Sequence, residues 1–171
     1  MAVLFTSVYL LIFGIVIVLF LFDGWYTVEE KYEGVLQRFG KHVKMCPPGL
    51  GFKIPLIDRV AHKVPLRIVE LQFNVETKTN DNVFVNIVVA VQMRVVDAYK
   101  AYYELSDPEG QIESYVNGVL RGHVPNMNLD AVFDDKETLE LAVKSSLESK
   151  MARCGYEIEN CLLYTSDAAD E

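Results

Sequence analysis

Alternation of apolar and polar residues with a period of two dominates the middle of the chain. Every odd position from 69 to 75 is apolar and every even one is polar, and all seven odd positions from 83 to 95 are apolar. This alternation is typical of strands with one buried face. The polar segment 77–82 between them predicts a turn. We therefore predict a long antiparallel hairpin whose odd-numbered residues form the buried face.

Shorter stretches precede the hairpin. Residues 25–40 predict two strands around a turn at Glu33-Gly34. Residues 47–51, Pro-Pro-Gly-Leu-Gly, exclude a helix or a central strand because proline has no N–H donor. Residues 52–57 form an apolar loop with one cation, Lys53. This loop either packs on its own domain or enters a lipid headgroup layer.

The period becomes helical after Asp97, which is a candidate N-cap for a short helix over 98–105. Asp107-Pro108 then places a cap and a first-turn proline before a second helix that ends at Pro125. A short capped turn follows at 129–133. The residues predicted to be buried in the second helix are Ile112, Tyr115, Val116, Val119 and Leu120.

A last helix opens at Asp134-Asp135, and Gly155 stands where a C-terminal glycine belongs. Residues 156–163 predict a closing strand. Strands followed by helices indicate an α+β fold. The buried stripe of the last helix is predicted to be Leu139, Val143, Leu147 and Met151.

The N-terminal segment 1–22 carries no charged side chain. Apolar residues cover every face of a helix built from it, and such a helix is about 31 Å long, close to the hydrocarbon thickness of a bilayer. Trp25 and Tyr26 follow at the depth where amphipathic rings settle. We therefore predict a membrane anchor helix over residues 1–22.

Two other structures compete with an anchor for this segment. A cleaved signal peptide would have a basic start, a shorter apolar core and a small-residue cleavage site, and the segment has none of these. A buried core helix rarely reaches this length without a charge. Length and composition together favour the anchor.

Charge is unevenly distributed. The net charge is −8, yet residues 31–67 contain eight basic and two acidic residues. A basic block beside an anchor attracts anionic lipid headgroups by about 1 kcal/mol per Lys or Arg. The acidic remainder argues against nucleic acid as a partner. Positive charges just after the anchor favour the cytoplasmic side for the folded domain.

No residue pattern indicates catalysis or metal binding. Cys46, Cys154 and Cys161 are odd in number and scattered, which argues against a disulfide framework and a zinc site. The three histidines have no carboxylate or cysteine at metal-ligand spacing. We expect no enzyme, cofactor or metal; a hydrolase with an unrecognised site is the remaining alternative.

Several blocks, taken in order along the chain, carry a family resemblance. They are residues 32–41 (YEGVLQRFGK), 48–55 (PGLGFKIP), 76–86 (ETKTNDNVFVN), 114–116 (SYV), 120–121 (LR), 129–133 (LDAVF) and 155–158 (GYEI). In this order they resemble the SPFH family, also called band 7 or PHB, which includes stomatins, prohibitins, flotillins and hypersensitive-induced-reaction proteins. Val124-Pro125 and the surroundings of Tyr156 are most similar to the hypersensitive-induced-reaction and stomatin-like branches.

The resemblance implies a non-enzymatic, membrane-associated oligomer. In this family the β-rich half lies against the leaflet, and subunits assemble side by side into rings or cages. These assemblies organise lateral membrane domains and regulate membrane proteases or channels. We therefore expect a self-associating scaffold protomer. The alternative is a regulatory adaptor subunit of a membrane protease or channel that forms no lattice.

The predicted organisation is a single-pass membrane protein of the α+β class. Family members continue into an Asp-x-x-Pro element and a long coiled coil, so residues 164–171 are expected to be an atypical tail, truncated or spurious. The predicted parts are an anchor helix over 1–22 and an SPFH-like domain over 23–163, with a β-rich part over 25–96, a helical part over 97–155 and a closing strand over 156–163.

The predicted membrane contacts come from the anchor, the aromatic pair after it and the apolar loop. Their partner is a bilayer with anionic headgroups. The residues are Leu11, Ile15, Val18, Phe22, Trp25, Tyr26, Phe52, Lys53 and Ile54.

Overall fold

A computed structural model describes residues 7, 8, 10–15 and 24–167, with side-chain surroundings up to Tyr164. Residues 7, 8 and 10–15 are helical. The rest of the predicted anchor over 1–22 lies outside the described residues. Within those ranges, no helix combines the length and the apolar character that a membrane crossing needs. The chain divides into an N-terminal unit, Met1–Pro65, and a C-terminal unit, Leu66–Glu171.

The N-terminal unit contains a two-stranded ribbon and a three-stranded sheet. In the ribbon, β1 pairs with β4 in antiparallel fashion, and in the sheet β2 lies between β3 and β5. The strands are β1 (Trp25–Val28), β2 (Tyr32–Arg38), β3 (Lys41–Cys46), β4 (Gly49–Phe52) and β5 (Asp58–Pro65).

The predicted turn at Glu33-Gly34 is wrong, because both residues lie inside β2. The chain turns instead at residues 29–31, where Lys31 has a φ of 67°. Gly34 has a packing role: a Cβ there would lie 3.2 Å from Val28 Cγ2 and 3.3 Å from Cys46 Cβ. The close contacts at this position leave little room for a side chain, and sequence alone does not distinguish that constraint from a turn.

The C-terminal unit is built on the predicted hairpin, which the structure confirms. Strand β6 (Val69–Lys78) pairs with β7 (Phe84–Val95) so that Leu71 lies opposite Val91 and Phe73 opposite Val89. The odd-numbered residues of β7 from 85 to 93 are buried in the core. Strand β8 (Tyr156–Asp167) pairs with the other side of β7 and extends past residue 163, where the predicted closing strand ended.

Four helices and two 3-10 turns cover the buried face of this sheet. The predicted caps are confirmed: Asp97 accepts a bond from the N–H of Lys100, and Asp107 from that of Gly110. Asp135 occupies the N-cap position of the last helix without a side-chain capping bond. The elements are α1 (Ala98–Tyr103), α2 (Pro108–His123), α3 (Leu129–Asp134) and α4 (Lys136–Met151), with 3-10 turns at Val124–Asn126 and Ala152–Cys154.

The core of this unit lies between the helices and the sheet, as the apolar stripes predict. The stripe of α4 is buried at all of its predicted positions, and in α2 Tyr115 and Val119 pack against the core while half-buried. Gly155 ends the last 3-10 turn in a left-handed conformation, with a φ of 81°. The buried stripe residues are Ile112, Val116, Leu120, Leu139, Val143, Leu147 and Met151.

Candidate functional site: the apolar end of the N-terminal unit

One end of the N-terminal unit exposes large apolar side chains. Arg38 lies opposite Asp58 in the sheet, so the residue after β2 and the residue before β5 leave the sheet at the same end. The segment 53–57 joins this end to the last residue of β4. We call this surface the apolar end; its residues are Trp25, Phe39, Phe52, Leu56 and Ile57.

The ribbon contributes an exposed aromatic pair to this end. Trp25 lies opposite Phe52 in the register, and their rings meet edge to face with centroids 5.9 Å apart. The two side chains are 57% and 51% exposed. The N–H of Lys53 donates to the carbonyl of Gly24 at 2.8 Å, which closes the ribbon just beyond the pair. A fixed aromatic pair is thus presented to the surroundings where the predicted anchor joins the folded unit.

Two apolar residues hold backbone torsions that favour glycine. Phe39 has a φ of 49° and is 82% exposed, and Leu56 has a φ of 66° and is 92% exposed. A left-handed torsion costs a non-glycine residue on the order of 1 kcal/mol. Neither side chain offsets that cost by packing within its own unit. Both side chains therefore stay exposed at a torsional cost that no contact within the N-terminal unit offsets.

The loop that carries Leu56 is held by a buried carboxylate. Asp58 is only 6% exposed and accepts two bonds from Arg38, from Nε at 2.7 Å and from Nη2 at 3.1 Å. It also accepts a bond from the N–H of Ile54 at 3.1 Å, and its own N–H donates to the carbonyl of Ile54 at 2.9 Å. Pro55 is buried between them. These bonds therefore fix the two ends of the short turn that carries Leu56.

The same contacts determine the ionisation of Asp58. The hydrogen bonds from Arg38 and then from the Ile54 N–H lower the pKa of Asp58 below its ordinary value. A lowered pKa means that the contribution of this carboxylate to stability is present above its unfolded-state pKa. That contribution is lost as the pH falls through the lowered folded-state value. Asp58 is therefore ionised at neutral pH, and its bonds to Arg38 and Ile54 are intact.

Basic residues border the apolar end. Lys41 follows the turn that carries Phe39, Lys53 follows Phe52, and Arg59 follows the buried Asp58. Lys41 and Arg59 are exposed. Basic residues next to exposed apolar side chains are suited to the interface of an anionic bilayer, where headgroups attract the cations and acyl chains accept the apolar groups.

Tyr26, predicted to contact the membrane together with Trp25 and Phe52, packs inward, whereas those two residues are exposed. Its side chain is half-buried against a small core of Val28, Leu36 and Cys46, and its hydroxyl donates to Cys46 Sγ at 3.0 Å. Burial, and then this bond, raise the pKa of Tyr26 to about 12. Its ring covers Gly51, where a Cβ would collide with it. Tyr26 thus locks the ribbon, and the aromatic surface belongs to Trp25 and Phe52.

The remaining predicted contact residues divide by position. Leu11 and Ile15 are exposed in the helical N-terminal segment, 63% and 51% respectively. Val18 and Phe22 lie outside the described residues. Lys53 and Ile54 are half-buried at the base of the loop. Membrane contact by any of these residues stays a prediction.

Sequence reasoning did not single out Phe39, which lies in the stretch 25–40 predicted to form two strands around a turn. The available signal was its neighbour: Phe39 and Gly40 are the two residues between Arg38 and Lys41, and both have positive φ. A two-residue hairpin loop of this kind usually begins with asparagine, aspartate or glycine. An aromatic residue is unusual in that position, so the departure from the usual loop residues was a signal for an exposed apolar side chain.

Within the described residues, no group of three or more His, Cys, Asp or Glu side chains could hold a metal ion. The three cysteines are free thiols. Burial is the main cause that raises the pKa of Cys161 to about 12, so this thiol is protonated and unreactive at neutral pH.

Residues 26–171 match the model of the SPFH domain / Band 7 family. The chain belongs to this family, as the ordered blocks indicate.

Three relatives show how much of a family member the chain represents. It is 41% identical over 139 residues to hypersensitive-induced response protein 4 of Arabidopsis thaliana, covering 80% of this chain and 48% of that protein. It is 30% identical over 138 residues to stomatin-like protein stl-1 of Caenorhabditis elegans, covering 80% and 42%. It is 29% identical over 123 residues to the human mitochondrial stomatin-like protein 2, covering 70% and 34%. The chain spans less than half the length of these relatives.

Proposed function

We propose that this protein is a non-enzymatic scaffold protomer held on a bilayer by its N-terminal segment and by the apolar end. SPFH proteins are generally membrane-associated scaffolds without catalytic activity, and the chain belongs to that family. The observation that carries the proposal is the pair Phe39 and Leu56, two apolar side chains exposed on left-handed backbone.

The charge distribution supports an anionic membrane surface as the partner. Residues 31–67 carry eight basic and two acidic residues. Cations in this stretch attract negative headgroups, while residues 1–22 supply the apolar length for an anchor. By the positive-inside rule the folded part then faces the cytoplasm.

Self-association is the second part of the proposal. A protomer that forms rings or cages organises its membrane surroundings and regulates membrane proteases or channels. Native mass measurement of the full chain in detergent separates this from the adaptor alternative. Large uniform assemblies support the scaffold, whereas one-to-one complexes with a protease or channel support the adaptor.

Vesicle flotation with matched variants tests the membrane contact. The full chain should float with vesicles containing anionic lipid and resist carbonate extraction, and deletion of residues 1–24 should release much of it. In that shortened chain, Phe39→Asn with Leu56→Asn should lower the remaining vesicle binding about tenfold or more, because each apolar side chain is worth about 1.5–3 kcal/mol when fully buried.

Asparagine is chosen because it tolerates left-handed torsions, so both substitutions should leave the fold intact. The matched control is Leu141→Asn on α4, which removes an apolar side chain that is 67% exposed elsewhere. A full chain that stays soluble beside vesicles contradicts the proposed function. Equal losses in the two variants contradict the role of the apolar end.

A further inference from the structure

The two three-stranded sheets have four outer strands, and three of them contain a β-bulge. In the register, Val43 is the extra residue of β3, Ala61 of β5 and Glu159 of β8. Bulges on edge strands twist the edge and discourage pairing with another chain. These three outer strands therefore carry a structural protection against strand addition.

The outer edge of β8 is protected a second time by α4. The Leu163 N–H donates to Glu140 Oε1 at 2.8 Å, and Lys144 Nζ donates to the Glu159 carbonyl at 2.9 Å. The Cys161 N–H donates to Oδ1 of its neighbour Asn160 at 3.0 Å. Side chains thus occupy the backbone groups that an additional strand would need.

Strand β6 has neither protection. It keeps a continuous register with β7 over all ten of its residues, and β7 is its single strand neighbour in the described chain. Within the described chain, no hydrogen bond like those on β8 covers the outer edge of residues 69–75. Open N–H and C=O groups on a straight edge are the acceptor site of β-strand addition.

The side chains along this edge define what would fit. Val69 is 39% exposed, and Leu71 and Phe73 are only partly buried at the border of the core. On the other face the exposed carboxylate of Glu70 is held by Gln92 Nε2 at 2.9 Å and by Gln72 Nε2 at 3.0 Å. An added strand would cover the apolar side chains on one face and meet a fixed anion on the other.

The negative charge of the C-terminal unit favours a different partner over a second copy of this chain. The C-terminal unit contains nine basic and nineteen acidic residues, so edge-to-edge pairing of two copies would bring two strongly acidic units together. A segment with Lys or Arg at alternate positions would place a cation opposite Glu70. Cross-strand pairs of opposite charge stabilise a sheet, and like charges destabilise it.

We propose that the open edge of β6 binds an extended peptide segment, alternating apolar with basic residues, by strand addition. The source that fits this chemistry is a segment flanking the membrane span of a client membrane protein, because cytoplasmic flanks are rich in Lys and Arg. This source rests on the proposed membrane location. The apolar residues of the segment cover Leu71 and Phe73, and one of its cations pairs with Glu70.

The test uses the full chain in detergent with three labelled peptides matched in length to residues 69–75. One alternates valine and lysine, the second has the same composition with its lysines grouped at one end, and the third is the first with alternate backbone amides methylated. Fluorescence polarisation measures binding. The alternating peptide should bind, and the grouped and methylated peptides should lose most of that binding.

Variants of the chain locate the site. Glu70→Lys should weaken the alternating peptide about tenfold, because a favourable cross-strand charge pair becomes a repulsive one. Glu113→Lys, the same charge change on an exposed position of α2, should have little effect. Hydrogen exchange should show new protection in β6 when the peptide is bound.

Three results would overturn the inference. They are equal binding of all three peptides, equal effects of the two lysine variants, and protection of β6 by self-association in the absence of peptide. Vesicle flotation of the same full chain does not involve β6. Failure of flotation therefore rejects the membrane location, whereas peptide results of these kinds reject the strand-addition site alone.

Discussion

Phe39 and Leu56 hold torsions that glycine adopts without steric cost, yet the chain has large apolar residues there. Gly40, next to Phe39, has a φ of 80° in the same turn. Local conformational preference therefore favours a smaller or more polar residue at both positions. Both residues oppose their local preference and gain no burial within their unit, and the proposed membrane contact rests on this observation.

Two other glycines allow a prediction about the effect of single substitutions on stability. Gly155→Ala should lower the free energy of unfolding by more than about 1 kcal/mol, because its φ is 81° and a Cβ would lie 2.5 Å from the Asp97 carbonyl oxygen. Gly118→Ala on α2 should raise it by about 0.5–1 kcal/mol, because nothing lies within 4 Å of that Cβ. Urea unfolding of both variants measures the difference, and equal effects would reject the described backbone.

At the scale of elements, one helix end depends on a residue distant in sequence. Asn128 precedes α3 without a side-chain capping bond. Asp81, in the turn of the β6–β7 hairpin, accepts a bond from the Leu129 N–H at 3.3 Å instead. The Asn80 N–H also donates to the Met127 carbonyl at 2.9 Å. The family-like block at 76–86 thus joins the hairpin turn to the start of a helix.

The packing of α4 gives a prediction at this scale. Leu147 is fully buried under the sheet, whereas Leu141 on the same helix is 67% exposed. Leu147→Ala should cost about 2–5 kcal/mol of unfolding free energy through lost burial and a cavity. Leu141→Ala should change it by less than about 0.5 kcal/mol. Thermal and urea unfolding compare the two, and a reversed order would mean that α4 buries a different face.

At the scale of the whole molecule, charge is divided between the two units. The C-terminal unit carries ten more acidic than basic residues, whereas the N-terminal unit carries seven basic and five acidic ones. Such a molecule meets an anionic surface favourably through one part of its chain and unfavourably through the other. The proposed attraction to anionic headgroups therefore comes from the N-terminal unit, and the C-terminal unit opposes it.

This division predicts how membrane binding depends on salt and lipid. The chain lacking residues 1–24 should bind vesicles with anionic lipid more tightly than neutral ones. The difference should shrink as ionic strength rises above about 0.15 M, where the screening length is about 8 Å. Sedimentation with vesicles of both compositions across a salt series measures it. Binding that is equal for both lipids at low salt would remove the electrostatic part of the proposed function.

The sequence by itself determined the elements whose periodicity is carried by many residues. The β6–β7 hairpin, the stripes of α2 and α4 and the caps at Asp97 and Asp107 follow from local rules, because each depends on neighbours within one strand or one turn. The family could also be predicted from the sequence, because its blocks are short stretches in a fixed order along the chain.

Only the tertiary structure decided which strands pair and which surfaces remain open. The ribbon of β1 with β4, the role of Gly34 inside β2 and the capping of α3 by Asp81 depend on residues far apart in sequence. The exposed Phe39 and the unprotected edge of β6 do so as well. Outside such periodic elements, the exposure of a side chain depends on every long-range contact, so a pattern along the chain does not specify it.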